Sequence, residues 1–126
     1  MPENTSGRVL IADDDALVRA LLRQMIEPTG MMIVEAANGR EALELSANIH
    51  IDLAIVDLVM PEVDGLETIR ELLRRQPDMK IIAVSGALPA HYLDVASRLG
   101  ARIALPKPIR AEELAEAVSA LIREKS

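Results

Sequence analysis

The chain has 126 residues, of which half are hydrophobic but only 1% aromatic, with no Phe, no Trp and a single Tyr. This length suits one domain, whose core must consist of Leu, Ile, Val, Ala and Met. The absence of cysteine excludes disulfides and thiolate chemistry, and a net charge of −6 argues against a nucleic-acid partner, which needs a basic surface. No apolar run approaches the roughly 20 residues of a membrane span, so we expect no membrane partner. The lack of cysteine is compatible with the cytoplasm, and we expect a cytoplasmic location.

Residues 1–7 lack the cationic and apolar pattern of a signal peptide. We expect a flexible N-terminal tail at 1–7, followed by a single domain at 8–126. Within this domain, apolar segments alternate with stretches of helical periodicity. The pattern predicts strands at residues 8–12, 31–36, 52–57, 80–84 and 101–105, and helices at 17–26, 41–47, 66–73, 92–99 and 112–122.

The first helix contains two apolar rows with a spacing of four residues, which predict one face turned to the core: Leu17, Leu21 and Met25, and Val18, Leu22 and Ile26. Pro106 cannot donate a ladder hydrogen bond and so places the fifth strand at an edge. The alternation indicates an α/β fold, a doubly wound five-stranded parallel sheet with helices on both faces. Of the two common strand orders, the flavodoxin-like order 2-1-3-4-5 would open a crevice between the first and third strands.

The third strand is an uninterrupted apolar run that ends in Asp57, as expected for a strand buried on both faces. The first strand ends in the acidic triplet Asp13, Asp14 and Asp15. Parallel sheets place their chemistry at the carboxyl ends of their strands, so these carboxylates should converge. Because like charges repel, the cluster needs shifted pKa values or a cation, and Mg²⁺ with its oxygen ligands is the simplest answer.

Two further side chains follow strands at the same edge of the sheet, the Ser85 hydroxyl and the Lys107 ammonium. Both suit phosphoryl oxygens, and an aspartate beside a metal suggests attack on phosphorus to form an acyl phosphate. Each feature alone has an ordinary explanation, since acidic residues cap helices, serines form turns and lysines lie in solvent. The convergence of all of them on one edge favours a phosphoryl-transfer site.

Taken together, these motifs resemble the receiver domain of bacterial two-component response regulators. The resemblance covers residues 8–122 and depends on Asp13 and Asp14, Asp57 with Met60-Pro61, Asp64-Gly65, Ser85, and Lys107-Pro108. It implies that Asp57 is the phosphoacceptor and that Mg²⁺ is held by Asp13, Asp14, Asp57 and the Val59 backbone carbonyl. It also implies that Ser85 and Lys107 hold phosphoryl oxygens, and that the Lys107–Pro108 peptide is cis.

The resemblance implies a signalling domain rather than an enzyme, phosphorylated by a histidine kinase or a histidine phosphotransfer protein. Because the chain ends at Ser126, just after the last helix, we expect a stand-alone, chemotaxis-regulator-like receiver that signals to an unknown downstream protein. We expect a monomer or a weak dimer through the fourth helix, fifth strand and fifth helix. One departure concerns Ala104, which stands where receivers usually carry an aromatic residue, so the familiar aromatic rotation cannot occur there.

Two alternatives stay open at this point. Residues 13–15 formally fit the Asp-x-Asp motif of haloacid-dehalogenase-like phosphatases, although that motif requires a second acidic cluster where Ser85 and Gly86 stand. A receiver-like interaction module that is never phosphorylated would share the fold, although the intact set of site residues argues against it.

Overall fold

The computed structural model describes residues 7–60, 64–86 and 91–123, with only the backbone described at 91–93. The predicted tail, apart from Gly7, lies outside these ranges, and so does Pro61. Five strands alternate with five α-helices, as predicted. The elements are β1 Arg8–Ala12, α1 Ala16–Ile26, β2 Met32–Ala36, α2 Gly39–Asn48, β3 Leu53–Asp57, α3 Gly65–Arg75, β4 Lys80–Ser85, α4 His91–Leu99, β5 Ile103–Pro106 and α5 Ala111–Arg123.

The strands form one parallel sheet in the order β2-β1-β3-β4-β5, which confirms the predicted topology. The central strand β3 is buried along its whole length, as its unbroken apolar sequence predicts. One core layer packs α1 and α5 against one face of the sheet, and a second packs α2, α3 and α4 against the other. Within the described ranges, no helix is long and apolar enough to cross a membrane.

Side chains at the carboxyl edge of the sheet begin three of the helices. Asp15, Asn38 and Asp64 each accept a backbone N–H from the first turn of α1, α2 and α3, respectively. At the other end of α4, Gly100 adopts a φ of 121°, a conformation that side chains disfavour. The three side-chain caps fix where the loops after β1, β2 and β3 become helices.

One prediction about α1 is wrong. Leu22 and Ile26 are buried, but Leu17 is 70% exposed and Leu21 48% exposed. The two apolar rows lie side by side on the helix. The row of Val18, Leu22 and Ile26 packs on the core formed with the sheet and α5, and of the other row Met25 also packs there. Periodicity therefore identified the apolar side of α1 correctly but overestimated how much of it the core covers.

Candidate functional site

Asp57 lies at the end of the central strand and is only 5% exposed. Its position follows from the parallel sheet, which brings the ends of β1, β3 and β4 to one edge. The backbone N–H of Val59 donates to Asp57 Oδ1 at 3.1 Å. This bond orients the carboxylate and leaves Oδ2 facing the other charged groups of the site.

Two further carboxylates follow β1. Asp13 is 1% exposed, and its Oδ1 accepts the backbone N–H of Asp15 at 2.9 Å. Asp14 is exposed to solvent. Oxygen atoms of Asp13, Asp14 and Asp57 lie within 4.8 Å of one another. The structure therefore brings together the three acidic side chains that were predicted to hold the metal.

Lys107 follows β5 and extends its side chain across the cluster. Its Nζ lies 3.1 Å from Asp13 Oδ2 and 3.4 Å from Asp57 Oδ2. Its backbone N–H donates to the Ser85 carbonyl at 2.9 Å, and its peptide bond to Pro108 is cis, as the resemblance implied. The ammonium thus bridges two buried carboxylates that belong to different strands.

Ser85 ends β4 and is 5% exposed. Among the described residues, its hydroxyl has no hydrogen-bond partner. Most buried hydroxyls in proteins are paired, so an unpaired one at this edge of the sheet suits an incoming oxygen atom. Asp15, in contrast, uses its carboxylate to cap α1, with Oδ1 accepting the Leu17 N–H at 2.9 Å.

The pKa values of Asp57 and Lys107 are each subject to effects of opposite sign. Desolvation raises the pKa of Asp57, and the neighbouring charge of Asp13 raises it further, against the Val59 N–H and Lys107, which lower it. Burial lowers the pKa of the Lys107 ammonium, but the hydrogen bond to Asp13 and the charges of Asp57 and Asp13 outweigh burial, so this pKa is raised. Lys107 therefore stays protonated and compensates only part of the negative charge.

The donor set suits Mg²⁺, which prefers oxygen ligands and is attracted by clustered carboxylates. Asp13, Asp14, Asp57 and Val59 border a common cleft of about 310 Å³, together with Asp15, Gly86 and Lys107. Val59 thus borders the same cleft as the three carboxylates, and its role as a ligand stays a prediction. The cleft thus combines clustered carboxylates with one ammonium group.

Two glycines contribute to this site in ways that sequence reasoning missed. A side chain at Gly65 would collide with the backbone of Asp57 and Leu58, so this glycine lets α3 begin directly against the loop that follows β3. Gly86 lies against the stem of Lys107. Both glycines follow a polar residue in the sequence, as turn glycines often do, but which atoms lie against them depends on the fold.

Comparison with known proteins agrees with this geometry. The model of the response regulator receiver domain family matches residues 9–119. The chain belongs to this family. Receiver domains are signalling domains of two-component systems; they interact with histidine kinases and downstream proteins, and they bind Mg²⁺ at an acidic aspartate cluster.

Similar proteins cover most of the chain. Chemotaxis protein CheY of Thermotoga maritima is 34% identical over 113 residues, which are 89% of this chain and 94% of that protein. Response regulator MprA of Mycolicibacterium vanbaalenii is 36% identical over 116 residues. These residues are 92% of this chain but only 50% of that relative. The crystal structure of a CheY-like receiver domain protein from Methanospirillum hungatei JF-1 has a TM-score of 0.88 at 27% identity, with 94% of each chain covered.

Proposed function

We propose that this receiver domain accepts a phosphoryl group on Asp57 from a histidine kinase or a histidine phosphotransfer protein, in a reaction that requires Mg²⁺. The observation that supports this most strongly is the bridging position of the Lys107 ammonium, 3.1 Å from Asp13 and 3.4 Å from Asp57. The Ser85 hydroxyl at the end of β4, which has no partner among the described residues, adds to this support. An ammonium and a hydroxyl are the donors that phosphoryl oxygens require.

In the proposed reaction, a carboxylate oxygen of Asp57 attacks the phosphorus of phosphohistidine. The P–N bond breaks, an acyl phosphate forms on Asp57, and the released imidazole takes a proton from solvent. Asp13, Asp14, Asp57 and the Val59 carbonyl would hold the cation, which when bound neutralises charge on the phosphoryl oxygens. The raised pKa of Lys107 keeps its side chain cationic for the phosphoryl group.

The phosphatase alternative has less support. Its motif requires two side chains of residues 13–15 for catalysis, whereas the Asp15 carboxylate caps α1 by accepting the Leu17 N–H at 2.9 Å. The strand β4 ends at Ser85 and is followed by exposed Gly86, whereas the phosphatase motif requires a second acidic cluster there. Both observations support Asp57 as the acceptor.

Phosphorylation from a small donor tests the proposal. Incubation with acetyl phosphate and Mg²⁺ should add one phosphoryl group, detected by intact mass, and chelation of Mg²⁺ should prevent it. Asp57→Asn should abolish labelling. Asp78→Asn, which removes an exposed carboxylate just before the amino end of β4, should retain it. Labelling that survives in Asp57→Asn but disappears in Asp13→Asn would support the phosphatase chemistry instead. A chain that is never labelled would support an interaction module.

We further propose that phosphorylation changes protein contacts at the surface of α4, β5 and α5, where Asp94, Arg98 and Arg110 are exposed. A monomer that dimerises weakly through this surface would elute earlier in size-exclusion chromatography after treatment with acetyl phosphate and Mg²⁺. An unchanged elution volume at high protein concentration would argue for a monomer. The cytoplasmic location stays a prediction.

A further inference from the structure

Arg19 lies on α1, and its guanidinium reaches back to the loop that follows β1. Its Nη1 donates to the Asp13 carbonyl at 2.7 Å, and its Nε donates to Glu35 Oε1 on β2 at 3.0 Å. The Arg19 side chain is only 18% exposed. A single side chain thus joins the helix to a neighbouring strand and to the backbone of the acidic loop.

The carbonyl that Arg19 binds belongs to the peptide group between Asp13 and Asp14. This group is planar, so the orientation of its carbonyl sets the direction in which the backbone enters Asp14. Asp14 is exposed, so its carboxylate depends on the backbone to lie within 4.8 Å of the oxygens of Asp13 and Asp57. The Asp13 N–H already donates to the Ala36 carbonyl at 3.1 Å. Arg19 therefore binds the other backbone polar group of Asp13.

Glu35 in turn holds Arg19 in place. Its second oxygen, Oε2, accepts Arg23 Nε at 2.7 Å. The hydrogen bond from Arg23 is the strongest influence on the pKa of Glu35, and together with Arg19 it outweighs desolvation, so this pKa is lowered and Glu35 stays anionic. Because a guanidinium is a planar fork, fixing Nε on Glu35 also limits where Nη1 can lie. Arg23 directs its own Nη2 to the Ile33 carbonyl, at 3.5 Å, near the amino end of β2.

We propose that Arg19 is a positioning residue for the cation site: its fork, anchored on Glu35, fixes the peptide between Asp13 and Asp14 and so directs both carboxylates to one point. Arg19 itself need touch neither the cation nor the phosphoryl group. The effects on Mg²⁺ binding and on labelling rest on the proposed function, whereas the effect on the orientation of the peptide does not.

The binding test is Arg19→Gln, titrated with Mg²⁺ and followed by the amide chemical shifts of the acidic loop. Gln ends where the Nε of Arg19 stands, so it cannot reach the Asp13 carbonyl. The Kd for Mg²⁺ should rise about tenfold, the lower end of the range for groups that orient metal ligands. The direction is decisive, because loss of a positive charge near a cation site would by itself tighten binding. The matched control is Arg23→Gln, which removes the same charge and the other bond to Glu35, and it should bind Mg²⁺ at least as tightly as the wild type.

Two binding outcomes would overturn the proposal. Wild-type or tighter affinity in Arg19→Gln would mean that the loop keeps its shape without the bond. Equal weakening in Arg23→Gln would assign the effect to the ion pairs between α1 and β2 as a whole. If thermal unfolding shows that Arg19→Gln is not folded, Arg19→Lys replaces it, since lysine keeps the charge but not the planar fork. That variant should bind Mg²⁺ about threefold more weakly, and wild-type affinity would refute the role of the fork.

The Mg²⁺ dependence of labelling separates cation binding from the reaction itself. With acetyl phosphate at low Mg²⁺, Arg19→Gln should be labelled more slowly than the wild type, and saturating Mg²⁺ should restore the wild-type rate. A rate that stays low at saturating Mg²⁺ would contradict a role confined to the cation site. If the wild type binds Mg²⁺ but is not labelled on Asp57, the proposed function fails, and the comparison of affinities still decides the role of Arg19.

Crystal structures of the wild type and of Arg19→Gln without metal provide a readout that needs neither Mg²⁺ nor phosphorylation. In the variant, the peptide between Asp13 and Asp14 should be rotated, and the oxygens of Asp14 should lie more than 4.8 Å from those of Asp57. An unchanged carboxylate cluster would refute the positioning role, even if Mg²⁺ binding weakened. If the wild type does not bind Mg²⁺, the proposed cation site fails, and these two structures still decide the role of Arg19.

Discussion

Asp57 is an acid that the fold buries next to another buried acid, Asp13. Desolvation and the charge of Asp13 both raise its pKa, and the contacts from Val59 and Lys107 offset this only in part. Ionised Asp57 therefore opposes folding when no cation is bound. The same unfavourable energy makes the site attract a divalent cation, which would relieve the repulsion.

Asp57→Asn should accordingly raise the free energy of unfolding at neutral pH in the presence of a chelator. The pKa of Asp57 is raised in the folded chain above its ordinary value of 3.8, so the folded chain binds the proton more tightly than the unfolded chain. Wild-type stability then falls as pH rises from that ordinary value through the folded pKa. Urea unfolding should show that the advantage of Asn is greatest above this window and disappears in acid.

The exposed Asp78 provides the control for this prediction. Asp78→Asn should not show the same gain at neutral pH, because water solvates its charge in both states. A lower stability of Asp57→Asn than of the wild type at neutral pH would mean that the hydrogen bond from Val59 and the contact with Lys107 outweigh burial.

The identity of the site residues could be predicted because one rule places them: parallel strands bring their carboxyl ends to one edge. Asp57 and Ser85 end strands that the apolar pattern marks clearly, and Asp13 and Lys107 directly follow such strands. The hydrogen bond from Lys107 to Asp13 and the close approach of Gly86 to the Lys107 side chain could not be predicted. They depend on side-chain rotamers and on the path of a loop, neither of which leaves a periodic signal.

At the scale of secondary-structure elements, the Gln76 side chain joins the end of α3 to the segment between α2 and β3. Its Oε1 accepts the Ile51 N–H at 2.9 Å, and its Nε2 donates to the carbonyls of Ser46 and Ile49, each at 2.9 Å. One amide group thus satisfies three backbone groups that would otherwise lack partners. These bonds hold the amino end of the central strand, opposite the site.

Gln76→Ala should destabilise the chain by about 2–3 kcal/mol, because buried backbone groups lose their partners. Urea unfolding measures this loss, and the reaction of the folded variant with acetyl phosphate should be unchanged. The exposed Gln24 on α1 provides the matched control, and Gln24→Ala should change stability by less than about 0.5 kcal/mol. Equal effects of the two substitutions would show that water replaces the bonds of Gln76 without cost.

The strands and helices were predicted correctly because the apolar periodicity that marks them is a local property of the sequence. Each strand and helix is present, and α2 begins at Gly39 rather than Glu41 because the Asn38 side chain caps it there. The prediction for α1 failed at Leu17 and Leu21 because periodicity shows which residues share a side of a helix, not which neighbours cover that side. Such coverage depends on the packing of the other elements.

At the scale of the whole molecule, the uncovered apolar part of α1 adjoins the acidic cleft. Leu21 lines a groove of about 410 Å³ whose other apolar walls include Met25, Pro108 and Ile109. Gly86 and Lys107 border this groove and the cleft alike. A protein that brings a phosphohistidine to Asp57 would therefore meet apolar α1 next to the reacting group, whereas a small donor would not need this contact.

Leu21→Gln should therefore slow phosphotransfer from a phosphorylated histidine kinase or phosphotransfer protein by about fivefold to tenfold, in the range of a contributing interface residue. Labelling by acetyl phosphate should stay at the wild-type rate, because Leu21 lines the apolar groove and is not among the residues that border the acidic cleft. Met32, on the edge strand β2, is also apolar and 60% exposed, so Met32→Gln is the matched control and should affect neither reaction. Equal slowing with both donors would place the defect in the site rather than in docking. Unchanged transfer from the protein donor would show that the partner binds away from α1.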